Sequence, residues 1–226
     1  KAVLGVLIAC AAAGIIIGVV TKTGVGLRLA SGLIDLAGGM LLPAMFFTMI
    51  TAIVLGMGVP TTANYVITST IAAPALVQMG VPILAAHMFV FYFGIIADVT
   101  PPVALAAYAG AGISGGNALK TGVHASKLAV AAFIIPYIFV LSPVILMVDA
   151  TPLTLILATL SALAGMIAVS SALCGFLADH CRPYERLLLI IAGLLMIKPG
   201  GMTDLVGCAI FAAILAMQYM RVKKAA

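Results

Sequence analysis

Two short stretches of an otherwise apolar sequence carry the residues best suited to chemistry. Residues 56–62 read Gly-Met-Gly-Val-Pro-Thr-Thr, and residues 98–102 read Asp-Val-Thr-Pro-Pro. Glycine and proline interrupt helices, because glycine weakens them and proline lacks a backbone N–H. Carbonyls freed at such breaks coordinate Na⁺ together with nearby hydroxyls, and the N-termini of the resuming helices attract anions. The two stretches therefore predict a transport site; the alternative is an ordinary loop and a purely structural kink.

Asp98 is the only charged residue in these two stretches. An ionised carboxylate inside a membrane is costly and normally has a partner or a task. No lysine or arginine lies in the surrounding apolar sequence, which favours a cation or a proton as the partner. Two structural alternatives stay open: Asp98 is protonated, or it caps the helix that resumes after Pro102.

Oxygen-bearing side chains flank both breaks. Thr61, Thr62 and Asn64 belong to or follow the first, and Thr100 lies within the second. Any one of them is more often a helix cap or a hydrogen-bond partner of the helix backbone. Their occurrence together at two breaks favours a binding role. His87, near the start of an apolar helix, is interpreted as a packing residue rather than a ligand.

The elements that must hold these residues are membrane helices. The chain has 226 residues, of which 65% are hydrophobic and 8% are charged, with a mean hydropathy of +1.33. Soluble domains contain about 25% charged residues, so this chain lacks the polar surface that a soluble fold requires. The composition predicts an all-α polytopic membrane protein in contact with the lipid bilayer. No cluster of basic and aromatic residues indicates nucleic-acid binding.

Apolar runs divide the sequence into helices, of which a full span needs about 20 residues. Residues 2–21 form the first span, and residues 29–39 have the pattern of a short interfacial helix. We predict a helical hairpin at about 40–79 with its tip at 56–62, a broken helix at about 83–113, a polar loop at 114–127, and further spans at 128–148, 153–177, 187–197 and 204–220.

Basic residues between the spans predict the orientation. The side reached by the end of the first helix carries Lys22, Arg28 and Lys198. The opposite side carries Lys1, Lys120, Lys127, Arg182, Arg186, Arg221, Lys223 and Lys224. Because cytoplasmic loops hold the excess of lysine and arginine, the second side and the C-terminus are predicted to be cytoplasmic. The base of the hairpin then opens on the outer side.

The sequence offers little for catalysis. It contains no G-x-S-x-G, H-E-x-x-H or P-loop motif, which predicts that the protein is not an enzyme and does not hydrolyse ATP. The segment Asp179-His180-Cys181 lacks a second pair of metal ligands at a suitable spacing. Together with the nearby Glu185, this segment is interpreted as a solvated turn.

Both breaks carry sequence that resembles a known family. Residues 56–65, GMGVPTTANY, and residues 91–108, FYFGIIADVTPPVALAAY, resemble the large membrane subunit of tripartite ATP-independent periplasmic (TRAP) transporters. The likeness extends over about residues 30–145 and is closest to fused permeases, in which small and large membrane subunits form one polypeptide. Such permeases usually serve binding proteins of the TAXI type.

The resemblance implies an elevator-type, Na⁺-coupled importer of organic acids, dicarboxylate or amino-acid-like, in the bacterial inner membrane. A periplasmic binding protein would deliver the substrate. Residues 1–148 would form the second inverted repeat, and residues 149–226 would be additional C-terminal helices. No second Thr-Pro-Pro break is present. The resemblance therefore places the first repeat and the small-subunit region in an N-terminal part of a longer permease.

The resemblance and the chemistry of the residues at the two breaks together predict which residues bind. The Na⁺ ligands would be Gly56, Met57, Gly58, Pro60, Thr61, Asp98, Thr100 and Pro101, and the substrate contacts Thr62, Asn64 and Pro102. Pro60 stands where unfused subunits commonly have an acidic residue, and Ala104 where they commonly have glycine; both are interpreted as marks of the fused subfamily. The competing hypothesis is a non-transporting membrane scaffold or assembly subunit, in which the breaks are only kinks.

Overall fold

The computed structural model describes residues 2–197 and 201–225. These residues form twelve α-helices and one short 3₁₀ helix, with no strand among them, so the predicted all-α polytopic membrane fold is confirmed. They divide into two compact units, Lys1–Ser126 and Lys127–Ala226. Lys1, Lys198 and the side chain of Lys224, which enter the charge count, lie outside the described part of the chain.

The first two helices form a sharply bent pair. Helix α1, Ala2–Thr23, is followed by α2, Val25–Leu36, and their apolar parts meet at an angle of 71°. Gly24 at the bend has a φ of 68°, which glycine adopts without strain. The sequence predicts the interfacial segment at 29–39; helix α2 begins four residues before it and ends three residues before its predicted end. It buries Gly26 and leaves Arg28 exposed, as an amphipathic helix does.

The predicted hairpin is present in the structure. Its first arm is α3, Leu41–Gly56, and its second arm consists of α4, Thr61–Ile71, and α5, Ala73–Gln78. Both parts of the second arm contact α3. The sequence predicts one helix for this arm. The structure interrupts it at Ala72, because Pro74 has no N–H to donate to the preceding turn.

The predicted broken helix is also present. Helix α6, Ile83–Ile96, ends in a turn that leads to α7, Leu105–Ser114. Helix α6 packs against α3, α4 and α5, and it buries Phe89 and Phe93 completely. Buried alanines and glycines line much of the same contact, and such small residues let membrane helices approach closely. The hairpin and α6, the first half of the broken helix, therefore form one packed body within the first unit.

The polar loop predicted at residues 114–127 is wrong. Helix α8, Ala118–Leu128, occupies most of it. Asn117 begins this helix, because its side-chain oxygen accepts a hydrogen bond from the backbone N–H of Lys120 at 3.0 Å. Asparagine is among the best residues at this capping position, so Asn117 was the signal for a helix within the polar sequence.

Four α-helices lie entirely in the second unit: α9, Val130–Leu141; α10, Pro152–Cys174; α11, Pro183–Ile197; and α12, Gly201–Ala225. The sequence predicts a span at 128–148, but α9 ends at Leu141 and Pro143–Leu146 forms the 3₁₀ helix. Helix α10 begins with a capping box between Thr151 and Thr154. By length and composition, three described stretches are able to cross a membrane: Ala118–Leu141, which comprises α8 and α9, Pro152–Cys174, and Gly201–Lys223. The bent pair Gly14–Thr23 and Val25–Leu36 makes a fourth when it is counted as one span.

A buried polar network ties the loop between α10 and α11 to α12. Gln218 accepts hydrogen bonds from the backbone N–H groups of Ala178 and Asp179 at 3.1 and 3.2 Å. Its side-chain nitrogen donates to Oε2 of Glu185 at 2.9 Å. Arg221 forms ion pairs with both Glu185 and Asp179. The interpretation as a solvated turn is therefore wrong for Glu185, which is 0% exposed.

The network also fixes the charge of Glu185, which precedes the apolar run of α11. Burial alone would raise the pKa of its carboxyl group. Hydrogen bonds from the Arg182 backbone and from Gln218 and Arg221, together with the charge of Arg221, outweigh burial and lower the pKa from 4.5 to about 2. Glu185 is therefore ionised at neutral pH and fully partnered.

Candidate functional site

The tip of the hairpin is a tight turn that exposes the N-terminus of α4. Gly58 in this turn has a φ of 72°, a conformation that favours glycine. The N–H of Asn64 is bonded to the carbonyl of Pro60 at 2.9 Å. The N–H groups of Thr61 and Thr62 precede this bond and have no helical partner, as at any helix N-terminus. The tip therefore presents backbone donors with partial positive charge.

The hairpin closes directly on the last turn of α6. A Cβ atom placed on Gly56 would lie 2.6 Å from the carbonyl oxygen of Gly94. One placed on Gly94 would lie 2.7 Å from both polar atoms of the Asn64 side chain. Real Cβ contacts are longer than this, so only glycine fits at these two positions without displacement. The end of α3, the first turn of α4 and the last turn of α6 meet at this point.

Asn64 is the polar centre of this contact. Its side chain is 2% exposed, and its Oδ1 has no hydrogen-bond partner among the described residues. Thr48 in α3, which the sequence did not single out, is also fully buried, and its hydroxyl oxygen is likewise unpartnered there. Buried polar atoms without a partner are rare in folded proteins. These two atoms are therefore available to an ion, a water molecule or a substrate.

Within the break, the backbone carbonyl of Asp98 caps the start of α7. This carbonyl accepts a hydrogen bond from the N–H of Ala106 in α7 at 3.1 Å, and α7 has no side-chain cap. The carboxylate of Asp98 is half-buried and forms no hydrogen bond or ion pair with the rest of the described chain. A carboxylate cap, one of the two structural alternatives, is therefore not what the structure contains.

Thr100 has a free acceptor at the same break. Its hydroxyl donates to a carbonyl in the last turn of α6 at 2.8 Å, so its oxygen lone pairs remain available. The hydroxyl of Tyr108 donates to the carbonyl of Pro102 at 2.8 Å, and that of Ser126 donates to the carbonyl of Val99 at 3.2 Å. These bonds hold the turn between α6 and α7 in one shape.

The predicted site residues differ in exposure. Gly56 and Asn64 are buried; Met57, Asp98, Thr100 and Pro101 are half-buried; Gly58, Pro60, Thr61, Thr62 and Pro102 are exposed. Of these predicted residues, Gly56 and Asn64 approach α6 directly, where both lie against Gly94. Sequence reasoning misses Gly94; its signal is a glycine one helical turn before Asp98. The assignment of ligands to these residues stays a prediction.

His87 has a partner inside the protein. Its Nδ1 lies 3.0 Å from the hydroxyl of Tyr65, and the ring of Tyr65 packs edge-to-face against both His87 and Phe91. This arrangement fits the packing role predicted for it. The described residues contain no group of three or more His, Cys, Asp or Glu side chains that could hold a metal ion. The predicted Na⁺ ligands are of another kind, namely carbonyls, hydroxyls and one carboxylate.

An all-helical membrane chain in which a hairpin tip packs against a broken helix has the architecture of a secondary transporter. Residues 1–154 match the family model of the tripartite ATP-independent periplasmic transporter, DctM component. The chain belongs to this family and is a large membrane component of a TRAP transporter. Comparisons with curated proteins and with solved structures gave no match.

Membership of this family confirms the coarser predictions made from the sequence. The protein is a membrane component of a transport system, and its family consists of transporters rather than enzymes. DctM components work with a periplasmic binding protein and a small membrane subunit. The match covers both breaks and ends near the start of α10.

Proposed function

We propose that this chain supplies the outer half of the transport site in a Na⁺-coupled importer of organic acids. One observation carries the proposal. Asn64 is enclosed between Gly56 and Gly94, and the unpartnered carboxylate of Asp98 follows Gly94 by one helical turn. Irregular backbone at membrane depth is tolerated where protein buries it or where it lines a cavity. Two such segments packed together, with oxygen atoms left unpartnered, suit a cavity that binds an ion.

Na⁺ binds where the tip and the break converge. Asp98 supplies the negative charge that a desolvated cation requires, and Thr100 supplies a hydroxyl whose hydrogen is already engaged by α6. Glycine and proline at the tip leave backbone carbonyls outside the helical hydrogen-bond pattern. The proposed ligands are Gly56, Met57, Gly58, Pro60, Thr61, Asp98, Thr100 and Pro101.

The organic anion binds beside the cation. Thr62, Asn64 and Pro102 border its place, and the free N–H groups at the start of α4 favour a carboxylate. Before Na⁺ binds, Asp98 repels such an anion; the bound cation cancels this repulsion. Binding of Na⁺ therefore precedes and strengthens binding of the substrate, which couples the two fluxes. A dicarboxylate or an amino-acid-like acid has the required charge.

The likeness to fused permeases supports a wider arrangement of the transporter. Residues 1–148 form the second inverted repeat of an elevator-type permease, and residues 149–226 are the additional helices of a fused, TAXI-associated form. The first repeat and the small-subunit region complete the transport site, and a periplasmic binding protein delivers the substrate. The permease lies in the bacterial inner membrane with its C-terminus in the cytoplasm, as the distribution of basic residues favours.

Uptake by the full-length permease, reconstituted with its binding protein, tests the ion site. We expect uptake of candidate dicarboxylates to require a Na⁺ gradient. Thr100→Ala and Asp98→Asn should each weaken the apparent affinity for Na⁺ by about tenfold or more, as expected for the loss of one strong ligand. Thr159→Ala is the matched control, because Thr159 also donates to a carbonyl one turn earlier but lies in α10. Asp149→Asn removes an exposed carboxylate from the second unit.

The outcomes separate the competing functions. If both site variants retain normal, Na⁺-dependent uptake, these residues do not bind the ion. Uptake that is independent of Na⁺ but loses its pH dependence in Asp98→Asn would make Asp98 a proton carrier. If no substitution at the tip or the break affects uptake by the assembled system, the chain is a scaffold and its breaks are kinks.

Labelling of single cysteines in intact cells tests the orientation. Lys120→Cys and Lys223→Cys should react only after the membrane is made permeable, because both are predicted to be cytoplasmic. Lys22→Cys should react from outside and serves as the control. Labelling of the tail from outside would contradict the orientation, without bearing on which residues bind Na⁺.

A further inference from the structure

The second unit contains a cavity that the transport site does not use. It has a volume of ≈ 300 Å³ and is bounded by α9, the 3₁₀ helix, α10, α11 and the start of α12. Most of its lining is aliphatic, and its polar members are Ser142, Thr154, Ser161 and Asp204. Ser161 and Asp204 lie beyond the residues that match the DctM family.

Two polar atoms in this cavity have no partner among the residues that the structure describes. Ser142 is 3% exposed, and neither its Oγ nor Oδ1 of Asp204 has a hydrogen-bond partner among the described residues. Ser161 donates its hydrogen to the carbonyl of Met196 at 2.9 Å, so its oxygen can only accept a further bond. An unpartnered buried polar atom destabilises a fold. The cavity therefore offers acceptors and one carboxylate to an occupant that donates hydrogen bonds.

The cavity continues into apolar hollows on the outer faces of the helices. One hollow, of ≈ 480 Å³ between α10 and α12, shares Leu157, Ser161 and Asp204 with it. Leu157 and Leu205, which line this hollow, are 58% and 68% exposed. Both helices are apolar and long enough to cross a membrane, so these faces meet lipid. A molecule that enters by this hollow comes from the bilayer.

We propose that this cavity binds a membrane lipid with a primary ammonium head group. The ammonium donates hydrogen bonds to Asp204 and Ser161 and accounts for the unpartnered carboxylate oxygen. An acyl chain lies along the hollow between α10 and α12. Charge complementarity sets the preference, since an anionic head group would meet the carboxylate of Asp204. A quaternary ammonium cannot donate a hydrogen bond and should bind less tightly.

Native mass spectrometry of the purified full chain tests this site. Phosphatidylethanolamine, phosphatidylcholine and phosphatidylglycerol with the same acyl chains are added in turn. We expect phosphatidylethanolamine to be retained most strongly, and Asp204→Asn to weaken its binding by about tenfold, as loss of a charge-assisted hydrogen bond does. Asp149→Asn is the matched control, because it removes an exposed carboxylate outside the cavity lining.

A second variant covers the case in which Asp204→Asn unfolds the protein. Ala158 lines the cavity, so Ala158→Phe adds bulk to it without removing a polar group. We expect this variant to lose retention of phosphatidylethanolamine while remaining helical. Equal retention of all three lipids, unchanged binding in both variants, or an equal loss in Asp149→Asn would each overturn the proposal.

Discussion

The hairpin contact in the first unit and the Glu185 network in the second unit treat polar groups in opposite ways. In the hairpin and the broken helix of the first unit, Asn64, Thr48 and Asp98 keep oxygen atoms that no other described residue satisfies. At the loop end of the second unit, Glu185 and Gln218 are completely buried and every side-chain polar atom of both has a partner. The hairpin contact therefore contains hydrogen-bond acceptors without partners in the described part of the chain, whereas every acceptor of the Glu185 network has a partner.

This difference distinguishes polar groups that stabilise the fold from polar groups that are available to bind a ligand. A fully satisfied polar network rigidifies the elements that it joins, and breaking it is costly. An incompletely satisfied group is costly as it stands, so its presence points to a ligand that completes it. The contrast can be tested, because substitutions in the closed network should damage folding, whereas polar substitutions at the open site should damage ion binding.

The largest effect on stability is expected from Glu185→Ala. This change leaves Arg221 without its main counter-charge and removes the acceptor for Gln218 and for the Arg182 backbone. Removal of one member of a buried ion pair costs about 3–5 kcal/mol, and the partial exposure of Arg221 lowers this to about 2–4 kcal/mol. Asp35→Ala in α2, an exposed carboxylate, is the control. Circular dichroism melting in detergent measures both, and equal melting temperatures would contradict the buried role.

Gly56→Ala should have the next largest effect, of about 1–3 kcal/mol, the range expected for overpacking. Its Cβ would lie 2.6 Å from a backbone carbonyl that cannot rotate away. Gly110→Ala in α7 is the control, because a Cβ there meets nothing within 4 Å. The control should be neutral or slightly stabilising, since alanine favours helices. Equal melting temperatures of Gly56→Ala and Gly110→Ala would contradict the close contact between Gly56 and α6.

Acid should weaken the second unit by less than the loss of Glu185 does. The pKa of Glu185 is lowered from 4.5 to about 2 by folding, so its ionised form favours the folded state. This contribution is complete above pH 4.5 and is lost as the pH falls toward 2. The melting temperature of the wild type should therefore decrease as the pH falls across this window. The melting temperature of Glu185→Gln should decrease less. An identical slope in both proteins would assign the acid sensitivity to other groups.

The smallest effect is expected from Tyr65→Phe, about 0.5–1.5 kcal/mol for one lost hydrogen bond. The ring contacts with His87 and Phe91 remain, and only the bond to Nδ1 of His87 disappears. The apparent affinity for Na⁺ should not change, which sets this variant apart from Thr100→Ala. A clear loss of Na⁺ dependence in the uptake assay would move His87 from packing to the transport site.

The sequence predicts the hairpin and the broken helix well, because glycine and proline act on the local backbone. It fails where a single side chain decides. Asn117 starts α8 inside polar sequence, and Pro74 divides the second arm of the hairpin. The partner of Glu185 was beyond reach, because Gln218 lies on another helix and 33 positions away.

The same limit applies to the candidate site. Residue types and spacing at the two breaks point to Asp98 and Asn64 as candidates. The close approach of Gly56 to Gly94 depends on how α3 packs on α6, which no local pattern encodes. The unpartnered oxygens of Thr48 and Ser142 are equally invisible in the sequence, since they arise only when the surrounding helices assemble.

Ala104 at the end of the break has a mechanical consequence. Its φ of 35° lies in the left-handed region, and the residue is completely buried. The left-handed conformation costs about 1–2 kcal/mol for residues other than glycine. Glycine would allow many backbone conformations at this position, whereas the methyl group of alanine allows few. Ala104 therefore restricts how far α7 can reorient, about this residue, relative to the turn that precedes it.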